Sequence, residues 1–131
     1  MLSLADVPKL VSGVAQEFWV EIQQSKRPPL PSISLFSNSR PKVLMKMEGG
    51  ALKTAVERSH EAAQKMSRLY AVVVEAWDGY AITNGDRRDA ILLNVWVEGR
   101  GPLFFLQRYQ RDPFELTGGT VDGTDYSTLE R

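Results

Sequence analysis

The first hydrophobic pattern along the chain is helical. Between Asp6 and Gln24, large apolar residues recur every three or four positions, which places them on one stripe of a helix. The residues of this stripe are Val7, Val11, Val14, Phe18 and Ile22. Trp19 widens the stripe, and Pro8 is tolerated because a proline in the first turn removes no helical hydrogen bond. We expect this stripe to be buried against a sheet or against another copy of the chain.

A proline-rich stretch follows and predicts an extended connector. Residues 26–41 hold four of the seven prolines of the chain. Each proline biases the residue before it towards extended geometry, so the segment cannot continue the helix. We interpret it as a polyproline-type connector, and a ligand for an SH3-like domain is the alternative.

The next segments predict a strand, a helix and a second strand. Residues 42–48 alternate between apolar and polar positions, as in a half-buried strand, and Gly49-Gly50 ends it. Residues 51–68 place small apolar side chains on one helical face and charged side chains on the other. Residues 69–77 are almost continuously apolar and β-branched, which is typical of a central strand covered on both faces. If both strands run parallel in one sheet, the helix is a right-handed crossover between them.

A β-hairpin is predicted near the C-terminal end. Two apolar runs, 89–98 and 103–111, flank the turn sequence Gly99-Arg100-Gly101-Pro102. The turn signals Asp78-Gly79 and Asn84-Gly85 predict a loop over 78–86 before this hairpin.

Together these elements predict an α+β fold. We expect a small mixed, mainly antiparallel sheet of about four strands, with two helices packed on one face of it, in the order α-β-α-β-β-β. Residues 1–111 are expected to form a single domain that includes the connector 26–41. Glycine, threonine and acidic residues dominate 112–131, which predicts an irregular, flexible tail.

Composition limits the chemistry that is available. The chain has 131 residues, no cysteine and one histidine, which excludes disulfides, thiolate metal sites, a cysteine nucleophile and a histidine-rich metal cluster. No stretch approaches the roughly 20 apolar residues of a membrane-spanning helix, and the first residues lack the pattern of a signal peptide. We therefore expect a soluble, cytoplasmic protein that binds no cofactor and no membrane.

Charge is balanced overall but divided along the chain. Residues 1–68 carry 10 basic and 6 acidic side chains, and residues 69–131 carry 6 basic and 10 acidic ones. The basic excess is largest in 26–68, which suggests weak binding of nucleic acid as one alternative function. Few aromatic residues lie in that region, so nucleic acid is an unfavoured partner.

One polar cluster is predicted beside the central strand. Glu75 interrupts an otherwise apolar run, and a buried carboxylate is costly unless it is paired. If the loop 78–86 closes a hairpin, Glu75 and Asp78 come near Arg87 and Arg88. The whole candidate cluster is Glu75, Asp78, Tyr80, Asp86, Arg87, Arg88 and Asp89. Such a group can bind an anion or a metal, and the interpretation we favour is an ion-pair group that sets strand register.

His60 and a set of large aromatic residues are two further candidates for a functional role. His60 falls at the boundary of the apolar face of the second helix, where we expect a surface residue with no identified orienting acid or nucleophile. The large aromatic residues of the first helix and the hairpin form a candidate interface for self-association or a protein partner. These residues are Phe18, Trp19, Phe104, Phe105 and Tyr109.

The sequence therefore favours a non-enzymatic protein-interaction or assembly module. The main alternative is a small hydrolase or metal-binding enzyme that uses Glu75, Asp78, Asp86 and Asp89. The stretch Val74-Glu75-Ala76-Trp77, followed by Asp86-Arg87-Arg88-Asp89-Ala90, resembles a group of uncharacterised bacterial and phage proteins. That resemblance implies no assigned activity.

Overall fold

The computed structural model describes residues 4–25, 27–38, 42–47, 52–124 and 126–130. A short 3-10 turn, Leu4–Asp6, leads into helix α1, Val7–Gln24, and the second helix, α2, spans Leu52–Met66. The strands are β1 Ser32–Phe36, β2 Val43–Lys46, β3 Val72–Thr83, β4 Asp86–Val97, β5 Arg100–Arg111, β6 Phe114–Asp122 and β7 Ser127–Glu130. Neither helix of the described part is both long and apolar enough to cross a membrane.

The strands form one sheet in the order β2-β1-β3-β4-β5-β6, and β7 also pairs with β3. Strands β1 and β7 share one edge of β3, because β1 pairs with residues 72–76 and β7 with residues 79–82. All strand pairs among the described residues are antiparallel. The fold is therefore α+β as predicted, but the expected mixed sheet of about four strands is corrected to seven antiparallel strands.

The two helices lie on opposite faces of the sheet. Val72, Val74 and Ala76 of β3 belong to the core cluster that contains the buried stripe of α1. Val73 and Trp77 belong to the clusters that contain α2 residues. Successive side chains of a strand point to opposite faces, so β3 is covered on both. This explains its nearly continuous apolar sequence and confirms that it is central, and it corrects the prediction of helices on one face.

The predicted β4–β5 hairpin is confirmed, but its turn is Glu98-Gly99 and not 99–102, because β5 already begins at Arg100. A second hairpin, formed by β3 and β4, precedes it. The two-residue turns are Asn84-Gly85, with φ of 52° and 78°, and Glu98-Gly99, with φ of 50° and 77°. Positive φ at both central residues is the geometry that matches the twist of antiparallel strands, and glycine or asparagine adopts it at little cost.

The predicted loop over 78–86 is wrong, because β3 continues through Asp78-Gly79 to Thr83. A Cβ atom on Gly79 would lie 2.4 Å from the Leu129 carbonyl oxygen and 2.8 Å from the Leu92 side chain. Glycine is therefore required at this position by the close approach of β7, and not by a turn.

The connector and the tail both contribute strands. Within 26–41, residues 32–36 form β1, which lies between β2 and β3. Within 112–131, residues 114–122 and 127–130 form β6 and β7, so the expected irregular tail is corrected for these residues. Strand β6 pairs with β5 and covers the backbone groups of a strand that would otherwise be an edge.

The predicted strand–helix–strand unit is present in a modified form. Strands β2 and β3 are both antiparallel to β1, so they run parallel to each other with β1 between them. The Gly49-Gly50 break predicted between β2 and α2 lies outside the described residues.

Candidate functional site

The register of β3 and β4 separates the two main acids of the predicted cluster. Glu75 pairs with Asn94 and Asp78 with Ile91, whereas Arg88 pairs with Ala81 near the turn. Glu75 and Asp78 are three residues apart on one strand, so their side chains point to opposite faces of the sheet. The cluster predicted from sequence is therefore not a single site, because the loop that would have joined its parts is strand.

Glu75 is fully buried and is held by residues of α2 and β4. The Ser59 hydroxyl donates a hydrogen bond to its carboxylate, and Nδ1 of His60 lies 2.7 Å from Oε1. The Asn94 side-chain amide donates to Oε1 at 3.2 Å. The His60 ring also meets Trp77 edge-on at a centroid distance of 4.8 Å. These contacts compensate the burial of a carboxylate and join α2 to the centre of the sheet.

His60 is thus more than the surface residue expected from the sequence. Its side chain is 38% exposed, and Glu75 is the orienting acid that sequence analysis did not identify. An acid that orients an imidazole is one component of a general-base dyad, but a dyad alone performs no reaction. The sequence signal for this pair was Glu75, an acid inside an apolar strand, because a buried carboxylate requires a hydrogen-bonding or charged partner.

Asp78 is buried on the other face and is 1% exposed. The Tyr109 hydroxyl donates to its Oδ1 at 2.7 Å, and Arg111 donates to the Tyr109 oxygen at 3.1 Å. The Trp19 ring of α1 lies 5.0 Å from the Tyr109 ring. Asp78 therefore anchors an aromatic side chain beneath α1.

A cavity of about 830 Å³ lies at the end of the sheet where the β3–β4 turn meets the last residues of β5. Its charged lining consists of Arg87, Arg88, Arg108, Arg111, Asp86, Asp89 and Asp112. Gln110, Thr117 and Tyr126 contribute polar groups on the remaining sides. We call this cavity the arginine cleft.

The ion pairs in the arginine cleft leave two of its four guanidinium groups, those of Arg87 and Arg108, without an acidic partner among the described residues. Asp86 pairs with Arg88 at 2.9 Å, and Asp89 pairs with Arg111 at 3.5 Å. The Arg87 guanidinium lies over the Tyr80 ring at 4.5 Å. Arg108 is half-buried and forms no ion pair with any residue that the structure describes. A guanidinium in this position can bind a carboxylate through two parallel hydrogen bonds.

The structure brings part of the predicted cluster together here. Asp86, Arg87, Arg88 and Asp89 line the cleft, and Tyr80 contacts Arg87. Sequence analysis missed Arg108 and Arg111, which the β5 partner strand contributes. The observed register, which places Arg108 opposite Ala90, brings this arginine to the cleft, and the hairpin predicted with a turn at 99–102 did not supply that register.

Three of the five aromatic residues of the candidate interface are buried, and the other two are half-buried. Phe18, Trp19 and Tyr109 are 2%, 8% and 2% exposed, and they pack between α1 and the sheet. Phe104 and Phe105 are half-buried and pack against the core on opposite faces. None of the five side chains is highly exposed in this chain, and their role as an interface stays a prediction.

Two structural observations concern the residues of the alternative functions. Lys42 and Lys46 of the basic region form ion pairs with Glu17 and Glu21 of α1, which reduces the positive charge available to nucleic acid. Within the described ranges, no group of three or more acidic or histidine side chains is placed to hold a metal ion.

Comparison of this chain with protein-family models, with curated proteins and with solved structures finds no match.

Proposed function

We propose that the protein is a non-enzymatic binding module that receives an acidic segment of a partner protein in the arginine cleft. The observation that carries this proposal is the half-buried Arg108, which lines a cavity of about 830 Å³ and has no ion pair among the described residues. A cavity of this size lies within the range of ordinary ligand sites.

The arrangement of charges favours a ligand with few carboxylates. Four arginines and three aspartates line the cleft, so the excess positive charge is small. Asp86 and Asp89 orient Arg88 and Arg111, and they would repel a ligand with many closely spaced negative charges. The side-chain carboxylate of a peptide can bind Arg108. The backbone of the same peptide can donate hydrogen bonds to Gln110 and Thr117 and accept hydrogen bonds from them. A nucleic-acid backbone is a poorer match for this mixed lining.

The first test is an NMR titration that observes the Arg108 Nε–H resonance. The probe is a short peptide with two glutamates separated by glycines, and the control peptide has glutamine at both positions. We expect saturable shifts with the glutamate peptide alone, and weaker binding as salt rises.

A matched pair of variants locates the site. Arg108→Gln is expected to weaken binding by about 10-fold or more, since a hydrogen bond to a charged group contributes about 1.5–3 kcal/mol. Arg27→Gln, an exposed arginine outside the cleft, should leave it unchanged. Equal binding of both peptides, or undiminished binding by Arg108→Gln, would refute the proposal. Binding of a DNA oligonucleotide that is lost in Arg108→Gln would instead assign the cleft to nucleic acid.

A further inference from the structure

Three large apolar side chains are exposed at the end of the sheet opposite the arginine cleft. Leu4 is 74% exposed, Leu69 is 75% exposed and Leu103 is 51% exposed. They lie at the start of α1, after α2 and at the start of β5. Single exposed leucines are ordinary, but several around one apolar depression indicate a contact surface.

The depression is a cavity of about 260 Å³ between the first turn of the chain and the β4–β5 turn. Leu4, Leu103, Val72 and Val97 form its apolar wall. Leu69 borders a neighbouring depression that shares Ala71 and Glu98 with it. We call the surface formed by Leu4, Leu69, Leu103 and this cavity the leucine end.

The charges at the rim of the leucine end indicate which kind of molecule binds there. Glu98 and Arg100 flank Gly99 in the β4–β5 turn, both are exposed, and both line the cavity. Neither forms an ion pair with another residue of the described part of the chain. One acid and one base beside the same apolar patch are self-complementary across a two-fold axis, because each copy offers the charge that the other lacks.

We propose that the leucine end is the interface of a homodimer with two-fold symmetry. Leu4 and Leu103 of each copy cover the cavity of the other, and Glu98 of each copy pairs with Arg100 of the other. The arginine cleft lies towards the opposite end of strands that are 12 residues long and therefore span about 40 Å, so dimerisation leaves both clefts accessible. The proposal does not depend on what the cleft binds.

Sedimentation velocity over a range of protein concentrations tests the interface. The wild-type chain should show a concentration-dependent monomer–dimer equilibrium. Leu103→Gln should raise the dissociation constant at least 10-fold, whereas Leu129→Gln, a leucine of β7 that is 48% exposed, should not change it. Circular dichroism checks that each variant is folded.

Charge reversal tests the pairing itself. Glu98→Lys and Arg100→Glu should each weaken the dimer, because each places like charges together twice across the axis. The double variant Glu98→Lys/Arg100→Glu exchanges the two charges and should recover the wild-type dissociation constant. A monomer at all concentrations, a dimer insensitive to Leu103→Gln, or a double variant no better than the single ones would overturn the proposal.

Discussion

Nδ1 of His60 lies 2.7 Å from Oε1 of Glu75, which joins the only histidine of the chain to a carboxylate that is fully buried in β3. The pair links α2 to the middle of the sheet. Ser59 and Asn94 add two further donors to the same carboxylate. Because a buried charge without partners is strongly unfavourable, this network favours the observed position of α2, to which the apolar contacts of Val56 and Ala63 also contribute.

Removal of His60 should destabilise the protein. We expect His60→Ala to lower the free energy of unfolding by about 2–4 kcal/mol, since it leaves Glu75 buried with fewer partners. The loss should be smaller in the Glu75→Gln background, where position 75 carries no carboxylate. Urea unfolding of the two single variants and the double variant measures the coupling between the residues.

The control for this cycle lies on the exposed side of the same helix. Glu57→Ala removes a carboxylate that is exposed to solvent, and we expect a change within about 0.5 kcal/mol. Additive effects of His60→Ala and Glu75→Gln would show that the two residues do not act as a pair.

The hydrogen bond from Tyr109 to Asp78 is the second buried polar contact of β3. Tyr109→Phe should cost about 1.5–3 kcal/mol of unfolding free energy, because it removes a donor from a carboxylate that is 1% exposed. Tyr70→Phe is the control, since the hydroxyl of this half-buried tyrosine has no hydrogen bond to a described residue. Similar losses for the two variants in thermal unfolding would contradict the assigned role of the hydroxyl.

The close approach of β7 predicts that Gly79 tolerates no side chain. Gly79→Ala places a Cβ atom 2.4 Å from a backbone oxygen of β7, so we expect β7 to shift or to detach. Hydrogen exchange should show lost protection at residues 127–130 and at the facing part of β3. Gly119→Ala is the matched control, because nothing lies within 4 Å of a Cβ atom there. Undiminished protection in Gly79→Ala would show that the sheet accommodates the methyl group.

Thr124 is expected to control the titration of Asp122. The Thr124 hydroxyl, and to a lesser extent its backbone N–H, donate to the carboxylate and lower the pKa of Asp122 below its ordinary value of 3.8. A lowered pKa in the folded state means that this contribution to stability is present above the ordinary pKa and is lost as pH falls through the folded pKa.

Thr124→Val removes the stronger donor and should raise the pKa of Asp122 towards 3.8. A carbon-detected NMR titration of the side-chain carboxyl measures the change. Thr83→Val, at an exposed position on β3, serves as the control. An unchanged titration of Asp122 in Thr124→Val would contradict the assignment.

Some errors of the sequence analysis have a clear physical origin. Asp78-Gly79 has the composition of a turn, but glycine is required there because β7 lies very close to it. The backbone of Leu129, which is 50 residues away in the chain, leaves no space for a Cβ atom on Gly79. A turn at Asp78-Gly79 predicts that Glu75 and Asp78 lie close together. In the continuous strand, their side chains point to opposite faces of the sheet. Local composition cannot distinguish these cases, because the contact that requires glycine is non-local.

The segment 112–131 shows the same effect. Its glycines and acidic residues favour irregular structure, but β6 gains backbone hydrogen bonds by pairing with β5. Gly118, with φ of 69°, lies where the register shifts between the pairs of Leu106 and Arg108. The Gln107 side chain donates to the Gly118 carbonyl at 3.0 Å and satisfies it at this irregularity.

The features that the sequence determined by itself are those with short-range causes: the buried stripe of α1, the central position of β3, the β4–β5 hairpin and the lack of cysteine chemistry. They follow from periodicity, turn residues and composition, which act within a few residues. The tertiary structure alone decided the strand count, the side of the sheet on which each helix packs, the pairing of Glu75 with His60, and the assembly of four arginines around one cleft. These depend on register and on contacts between distant segments, and a one-residue change in register would turn every side chain of a strand to the other face.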